Sequence, residues 1–255
     1  MNPIAFTIGS WPIYWYGILI SSALLLGIFV AQHLAKIRGY DVDKLWSVLL
    51  LTIPLAIIGA RLYYVIFRWD LYADDPAKII QVWHGGLAVH GGILFGLLAI
   101  LIGAKIWKVD FFAMLDCITP ALALGQAIGR WGNFCNGEAY GGVTSLPWGI
   151  HVAADDALHH PTFLYESIWD LLLFFLLIFL FKRQKRTGNI ACLYFMIYSV
   201  GRFFIEALRT DSLMIGPLKQ AQVISVCLFL CAAAVLYFRN RKQPEDPDLS
   251  GKKTK

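Results

Sequence analysis

Long apolar stretches alternate with short polar ones along this chain. Seven apolar runs stand out, at roughly 12–34, 45–67, 85–104, 111–130, 162–181, 189–209 and 218–238. A helix crossing the hydrocarbon of a bilayer needs about 20 such residues, so each run predicts one transmembrane span. No window reads as a lipid-facing barrel strand, which leaves helices to carry the backbone through lipid. Trp11, Trp15, Trp69, Trp83, Trp148 and Tyr72 flank the runs, as interfacial aromatics do. The expected fold class is an all-α polytopic membrane protein with seven transmembrane helices. Residues 1–238 form one transmembrane domain, 131–161 a small lobe between helices four and five, and 239–255 a polar tail. Pro54 and Pro120 are expected to kink or interrupt spans two and four.

Composition sharpens this picture. Of 255 residues, 58% are hydrophobic and 15% charged, against about 45–50% and about 25% in soluble domains. A soluble globular enzyme, a disordered chain and a disulfide scaffold are excluded. The net charge of +5 is not a nucleic-acid footprint, because the basic residues lie between apolar runs and form no stripe. The five cysteines, Cys117, Cys135, Cys192, Cys227 and Cys231, show no CxxC spacing, so neither a metal site nor a disulfide framework is expected. The first ten residues carry no basic cluster, and no cleaved signal peptide is expected.

Lysine and arginine set an orientation. Lys36, Arg38, Lys44, Lys105, Lys108, Lys182, Arg183, Lys185, Arg186 and the six basic residues of the tail fall on one side. Arg68, Lys78, Arg209 and Lys219 fall on the other. The richer side faces the cytoplasm. The amino terminus and the 131–161 connection therefore face out, and the carboxyl terminus faces in.

The remaining three arginines, Arg61, Arg130 and Arg202, lie within spans or at their edges. Each would cost about 2.5–3.5 kcal/mol at mid-bilayer. Counting residues along each span places all three near the outer headgroups, together with Tyr16, His90, Glu166 and Asp170. Asp116 alone falls in an inner half. Tyr198, Arg202 and Glu206 repeat every fourth residue and share one helical face. Any one of these groups could be an interfacial snorkeller or a helix-pairing ion pair. Their gathering in one leaflet, from several helices, points instead to a functional polar cavity.

Two segments carry specific chemistry. Trp83–Gly92 contains two His-Gly-Gly units, His84-Gly85-Gly86 and His90-Gly91-Gly92. Glycine there permits the close approach of a headgroup or of another helix. The second segment, Gly129-Arg130-Trp131-Gly132-Asn133-Phe134-Cys135-Asn136-Gly137-Glu138-Ala139-Tyr140-Gly141, is expected to leave span four and enter the outer connection. Arginine presents a planar fork to phosphate oxygens, and asparagine can bond phosphate or glycerol hydroxyls. Glu138 can orient Arg130 or accept from a hydroxyl.

At every fixed position this second segment resembles the G-R-x-G-N-F-x-N-x-E-x-x-G signature of bacterial phosphatidylglycerol–prolipoprotein diacylglyceryl transferases. Trp15-Tyr16-Gly17, Gly59-Ala60-Arg61, Val89-His90-Gly91-Gly92, His160-Pro161-Thr162-Phe163-Leu164-Tyr165-Glu166, and Gly201-Arg202-Phe203 through Glu206 and Arg209 also look like that family. The segment between Gly141 and His160 is shorter than in many relatives, so a reduced outer lobe is expected. The resemblance implies transfer of an sn-1,2-diacylglyceryl group from phosphatidylglycerol to the lipobox cysteine of a preprolipoprotein signal peptide. It implies a thioether product, released glycerol-1-phosphate, no cofactor, and a multi-pass protein of the bacterial inner membrane acting at the outer leaflet. His90, Arg130 and Arg202 would form the catalytic core, with Arg130 on the lipid phosphate. Tyr16, Arg61, Asn133, Asn136, Glu138, Tyr198 and Glu206 would bind substrate or shape the site. His90 suits removal of the thiol proton near neutrality; a desolvated Glu138 could serve instead. His160-Pro161 reads as a structural lead into span five. A transporter or flippase for an anionic lipid or solute is the alternative, although no half-to-half repeat is visible. A membrane scaffold without chemistry is a third reading.

Overall fold

The computed structural model describes residues 3–152 and 156–242. Seven helices dominate: α1 (Trp15–Arg38), α2 (Val42–Phe67), α3 (Val89–Ile106), α4 (Phe111–Asn136), α5 (Thr162–Phe181), α6 (Asn189–Leu208) and α7 (Gln220–Lys242). All seven are long and apolar enough to cross a membrane, and the chain is a multi-pass membrane protein. Among the described residues, three antiparallel strand pairs lie outside the helices: β1 (Ile4–Ile8) with β2 (Trp11–Tyr14) before α1, β3 (Ile150–Val152) with β4 (Ala157–His159), and β5 (Met214–Ile215) with β6 (Leu218–Lys219).

Several helix boundaries differ from the sequence expectation by two to six residues. Helix α4 does not end near Arg130 but continues to Asn136. It stops where Gly137 takes a left-handed φ of 68°, the common glycine exit from a helix. Most of the signature is therefore helical, and the connection to α5 starts at Gly137. Helix α3 begins at Val89 rather than at residue 85, because Gly85 and Gly86 both adopt positive φ. Short 3-10 turns at Trp69–Leu71, Pro76–Ile80 and Val82–His84 precede it. Helix α7 extends through Lys242, into the segment read as tail; residues 243–255 lie outside the described residues. Pro54 and Pro120 interrupt nothing, since α2 and α4 run through them.

The chain divides into two compact units, Ala35–Leu115 and Met1–Leu34 with Asp116–Lys255. In the first, α2 and α3 pack through small residues. A Cβ added to Gly91 would collide with the Gly59 carbonyl, and Gly92 faces Ala56 and Ala60. In lipid such close packing, not hydrophobic burial, holds helices together.

In the second unit α6 packs against both α5 and α7. The buried residues of α5 are Thr162, Phe163, Glu166, Ser167, Asp170, Leu173, Leu177 and Phe181, one stripe at helical spacing. Apart from Phe163, polar groups occupy its first half and apolar groups its second. Helix α6 is capped from outside its own sequence at both ends. The buried Asp116 of α4 accepts from the Gly188 and Ala191 amides at 2.8 and 2.9 Å. Lys219 Nζ donates to the carbonyls of Glu206, Ala207 and Arg209 at 2.8, 3.2 and 2.6 Å. These partners satisfy groups that every helix end leaves unpaired, and they fix the helix that carries Arg202.

Candidate active site

The last turns of α4, the first turns of α5 and the last turns of α6 meet at one end of the larger unit. Arg130 comes from α4, Glu166 from α5, and Arg202 and Glu206 from α6. The Glu166 carboxylate lies between guanidiniums: Oε2 pairs with Arg130, and Oε1 pairs with Arg202 Nη1 at 2.6 Å. Arg202 Nη2 reaches Glu206 Oε2 at 2.6 Å, the pair that the four-residue spacing predicts. Arg209, just past α6, points Nη1 at Glu166 Oε1 from 3.5 Å. Its Nε and Nη2 are held by Asp211 at 2.9 and 2.8 Å.

Burial divides these groups. The Glu166 side chain is only 4% exposed, while Arg130 and Arg202 are 19% and 17% exposed. The carboxylate thus lies behind the two guanidiniums, whose remaining edges stay accessible. One turn deeper on α5, Asp170 is buried with its Oδ2 unpartnered. Tyr198 stacks on Tyr194 at 5.8 Å, and Tyr194 donates to Gln126 Oε1 at 2.9 Å. Burial alone would disfavour a charged Arg209, yet the hydrogen bonds and charge of Asp211 outweigh it and raise the guanidinium above its ordinary value. In return, the hydrogen bonds from Arg209 hold the Asp211 carboxyl below its ordinary value.

The signature folds back on the end of α4. Asn133 and Asn136 both donate to Glu138 Oε1, at 2.9 and 3.2 Å, so the three predicted residues form one cluster. Tyr16, at the start of α1, covers Gly132; a Cβ there would lie 2.6 Å from the Tyr16 ring. Gly141 closes the turn. Its amide donates to the His160 carbonyl at 2.8 Å, and the Gly142 amide to Leu208 at 2.9 Å. A Cβ on Gly141 would meet both His160 and the Leu208 carbonyl at 2.8 Å. His160 and Thr162, which bonds the Ala139 carbonyl at 2.6 Å, tie the turn to α5, the structural role expected for His160-Pro161.

The structure thus brings together Arg130, Arg202 and Glu206, groups Asn133 and Asn136 around Glu138, sets Tyr198 one turn before Arg202, and places Tyr16 on the signature. Two predicted residues belong to the Ala35–Leu115 unit. His90 is exposed near the start of α3, with its ring 6.0 Å from Tyr63. Arg61 is buried and faces five carbonyls, those of Lys78, Ile79, Gln81, Gly85 and Gly86, at 2.7–3.4 Å. These acceptors match its five N–H donors, so Arg61 organises the segment between α2 and α3. Sequence reasoning placed Glu166 in the outer polar layer but assigned neither it nor Arg209 a role in the site. The available signal for Glu166 was an acid at the same depth as two arginines, one turn from a second acid, Asp170.

Comparison with known proteins agrees with this architecture. The family model described as prolipoprotein diacylglyceryl transferase matches residues 3–238. Proteins named phosphatidylglycerol–prolipoprotein diacylglyceryl transferase are similar over most of the chain. The one from Clostridium kluyveri is 44% identical, over 96% of this chain and 100% of its own length. The Trichormus variabilis protein is 46% identical, over 96% of this chain and 93% of its own. The Clostridioides difficile protein is 49% identical, over 89% and 90%.

Proposed function

The chain belongs to the prolipoprotein diacylglyceryl transferase family, and on that footing we propose how its site carries out the transfer. The enzyme moves a diacylglyceryl group from phosphatidylglycerol to the cysteine of a prolipoprotein, a step of lipoprotein maturation. The acceptor is the lipobox cysteine of the signal peptide. Its sulfur attacks the glyceryl carbon that bears the phosphate oxygen. A C–S bond forms, that C–O bond breaks, and glycerol-1-phosphate leaves with the electron pair. The thiol proton passes to a base, for which His90 and Glu138 are the two candidates.

The observation that carries this reading is the pair of partly exposed guanidiniums, Arg130 and Arg202, backed by a buried carboxylate. Such a pair fits a phosphodiester with two unesterified oxygens, and it stabilises charge that grows as the C–O bond breaks. Tyr16, Asn133, Asn136, Glu138, Tyr198 and Glu206 shape the walls, and Arg61 orders the segment between α2 and α3. Residues 1–238 act as one catalytic domain. The protein sits in the bacterial cytoplasmic membrane with this site toward the outer leaflet, as the distribution of lysine and arginine supports.

The test is lipidation of a lipobox peptide by the purified protein in phosphatidylglycerol micelles, read by mass spectrometry. The expected result is a diacylglyceryl adduct on the cysteine and an equivalent of glycerol phosphate, with neither for a Cys→Ser peptide. Lipid flux in proteoliposomes without any covalent product would point to the transporter reading instead.

A further inference from the structure

Three guanidiniums, Arg130, Arg202 and Arg209, face three carboxylates, Glu166, Glu206 and Asp211. Lys219 is committed to the carbonyl end of α6. Asp170 lies one turn below Glu166, and Glu138 is held by Asn133 and Asn136. Neither carboxyl adds positive charge in any protonation state. The three guanidiniums are therefore balanced by the three carboxylates, although two arginine edges are displayed. Glu166 is the hub, since among the described residues it is the carboxylate that pairs with all three guanidiniums.

We propose that Glu166 is a positioning residue that sets both the spacing of Arg130 and Arg202 and the net charge of the phosphate site. Each of its oxygens holds one guanidinium from behind, which keeps two like charges together in a poorly screened place. The same negative charge limits how tightly the site can hold an anion. This inference rests on the transferase reading above. There the substrate phosphodiester carries one negative charge and the released glycerol phosphate approaches two. A neutralised site binds the first through geometry and releases the second readily. Without Glu166, the added positive charge favours the more highly charged product, and product release slows.

The experiment compares wild type, Glu166→Gln and Asp211→Asn. Glycerol phosphate binding is measured by titration calorimetry without turnover, and kcat and KM are measured in the peptide lipidation assay. A unit charge at this range shifts an ionic equilibrium by about ten-fold or more. Glu166→Gln is expected to bind glycerol phosphate at least about ten-fold more tightly, with lower kcat and an unraised KM for phosphatidylglycerol. Glu166→Asp, which keeps the charge and shortens the reach, should restore weak product binding but not full kcat. Asp211→Asn removes a carboxylate that is 50% exposed, so the fold is kept. It should tighten product binding in the same direction by a smaller factor, and it decides the matter if Glu166→Gln fails to fold. Unchanged glycerol phosphate affinity in the folded variants overturns the proposal, as does a raised KM with product binding unaltered. A wild type that binds glycerol phosphate but lipidates no peptide refutes the transferase reading, and the binding comparison still judges Glu166.

Discussion

Single side chains carry most of the chemistry, and their legibility in the sequence was uneven. Arg130, Arg202 and Glu206 stood out because charge inside an apolar run is costly and because two of them are a turn apart. Glu166 stood out by the same rule but could not be assigned. Its neighbours on α5 mix Thr162, Tyr165, Ser167 and Asp170 with large apolar residues, so no clean periodicity says which face meets another helix, and its partners come from α4, from α6 and from Arg209 just past α6. Arg61 shows the opposite difficulty: a buried arginine need not face substrate, and here it is saturated by carbonyls. The proposed phosphate clamp makes a definite demand. Arg202→Lys keeps the charge but loses the planar fork, and it is expected to lower kcat by about 10²-fold. Initial rates of peptide lipidation at saturating lipid check this; rates within two-fold of wild type would contradict it. For Asp211 the sign is equally clear. Its carboxyl is held below 3.8 in the folded protein, so its contribution is present above that value and lost as pH falls through the lower folded one. Melting temperatures of wild type and Asp211→Asn should differ at neutral pH and converge only in acid. A difference that persists in acid would show that the ion pair is not its source.

Helices and turns were legible wherever hydrophobic length sets the limits. The expected run 162–181 coincides with α5, and 189–209 exceeds α6 by one residue. The signature misled because its Arg, Asn and Glu content reads as loop, whereas α4 continues until Gly137 supplies a left-handed turn. The hairpins were not foreseen, being only two to five residues per strand and placed among interfacial aromatics. Cross-helix capping was also invisible, since Asp116 and the Gly188 amide that donates to it are 72 residues apart. It nevertheless has a measurable consequence. Asp116→Ala leaves two buried amides of α6 unpaired, each worth about 1–3 kcal/mol. Thermal unfolding in detergent should show a clear loss of stability, and Asp116→Asn, which retains one acceptor, should lose less. Arg61→Ala should raise amide hydrogen exchange across residues 69–88 while leaving α5 and α6 protected. Unchanged exchange there would show that the carbonyl contacts do not order the segment.

For the protein in its bilayer, composition and the order of apolar runs were sufficient to read seven spans, and the lysine and arginine bias supplied an orientation. How helices from distant parts of the chain gather their polar residues was beyond any single-chain pattern, because lipid hides both faces of an apolar helix equally. The proposed orientation predicts that a single cysteine introduced at Ser10, in a background without the native cysteines, reacts with an impermeant reagent in intact cells, whereas one at Thr187 does not. The reverse pattern would place the arginine cluster on the wrong leaflet. The most direct test of the phosphate clamp is a cryo-EM map of the full chain in phosphatidylglycerol nanodiscs. Lipid phosphate density within hydrogen-bonding reach of both Arg130 and Arg202, with Glu166 still behind them, is the expected result. A headgroup bound elsewhere, with those guanidiniums closed against lipid, would contradict it.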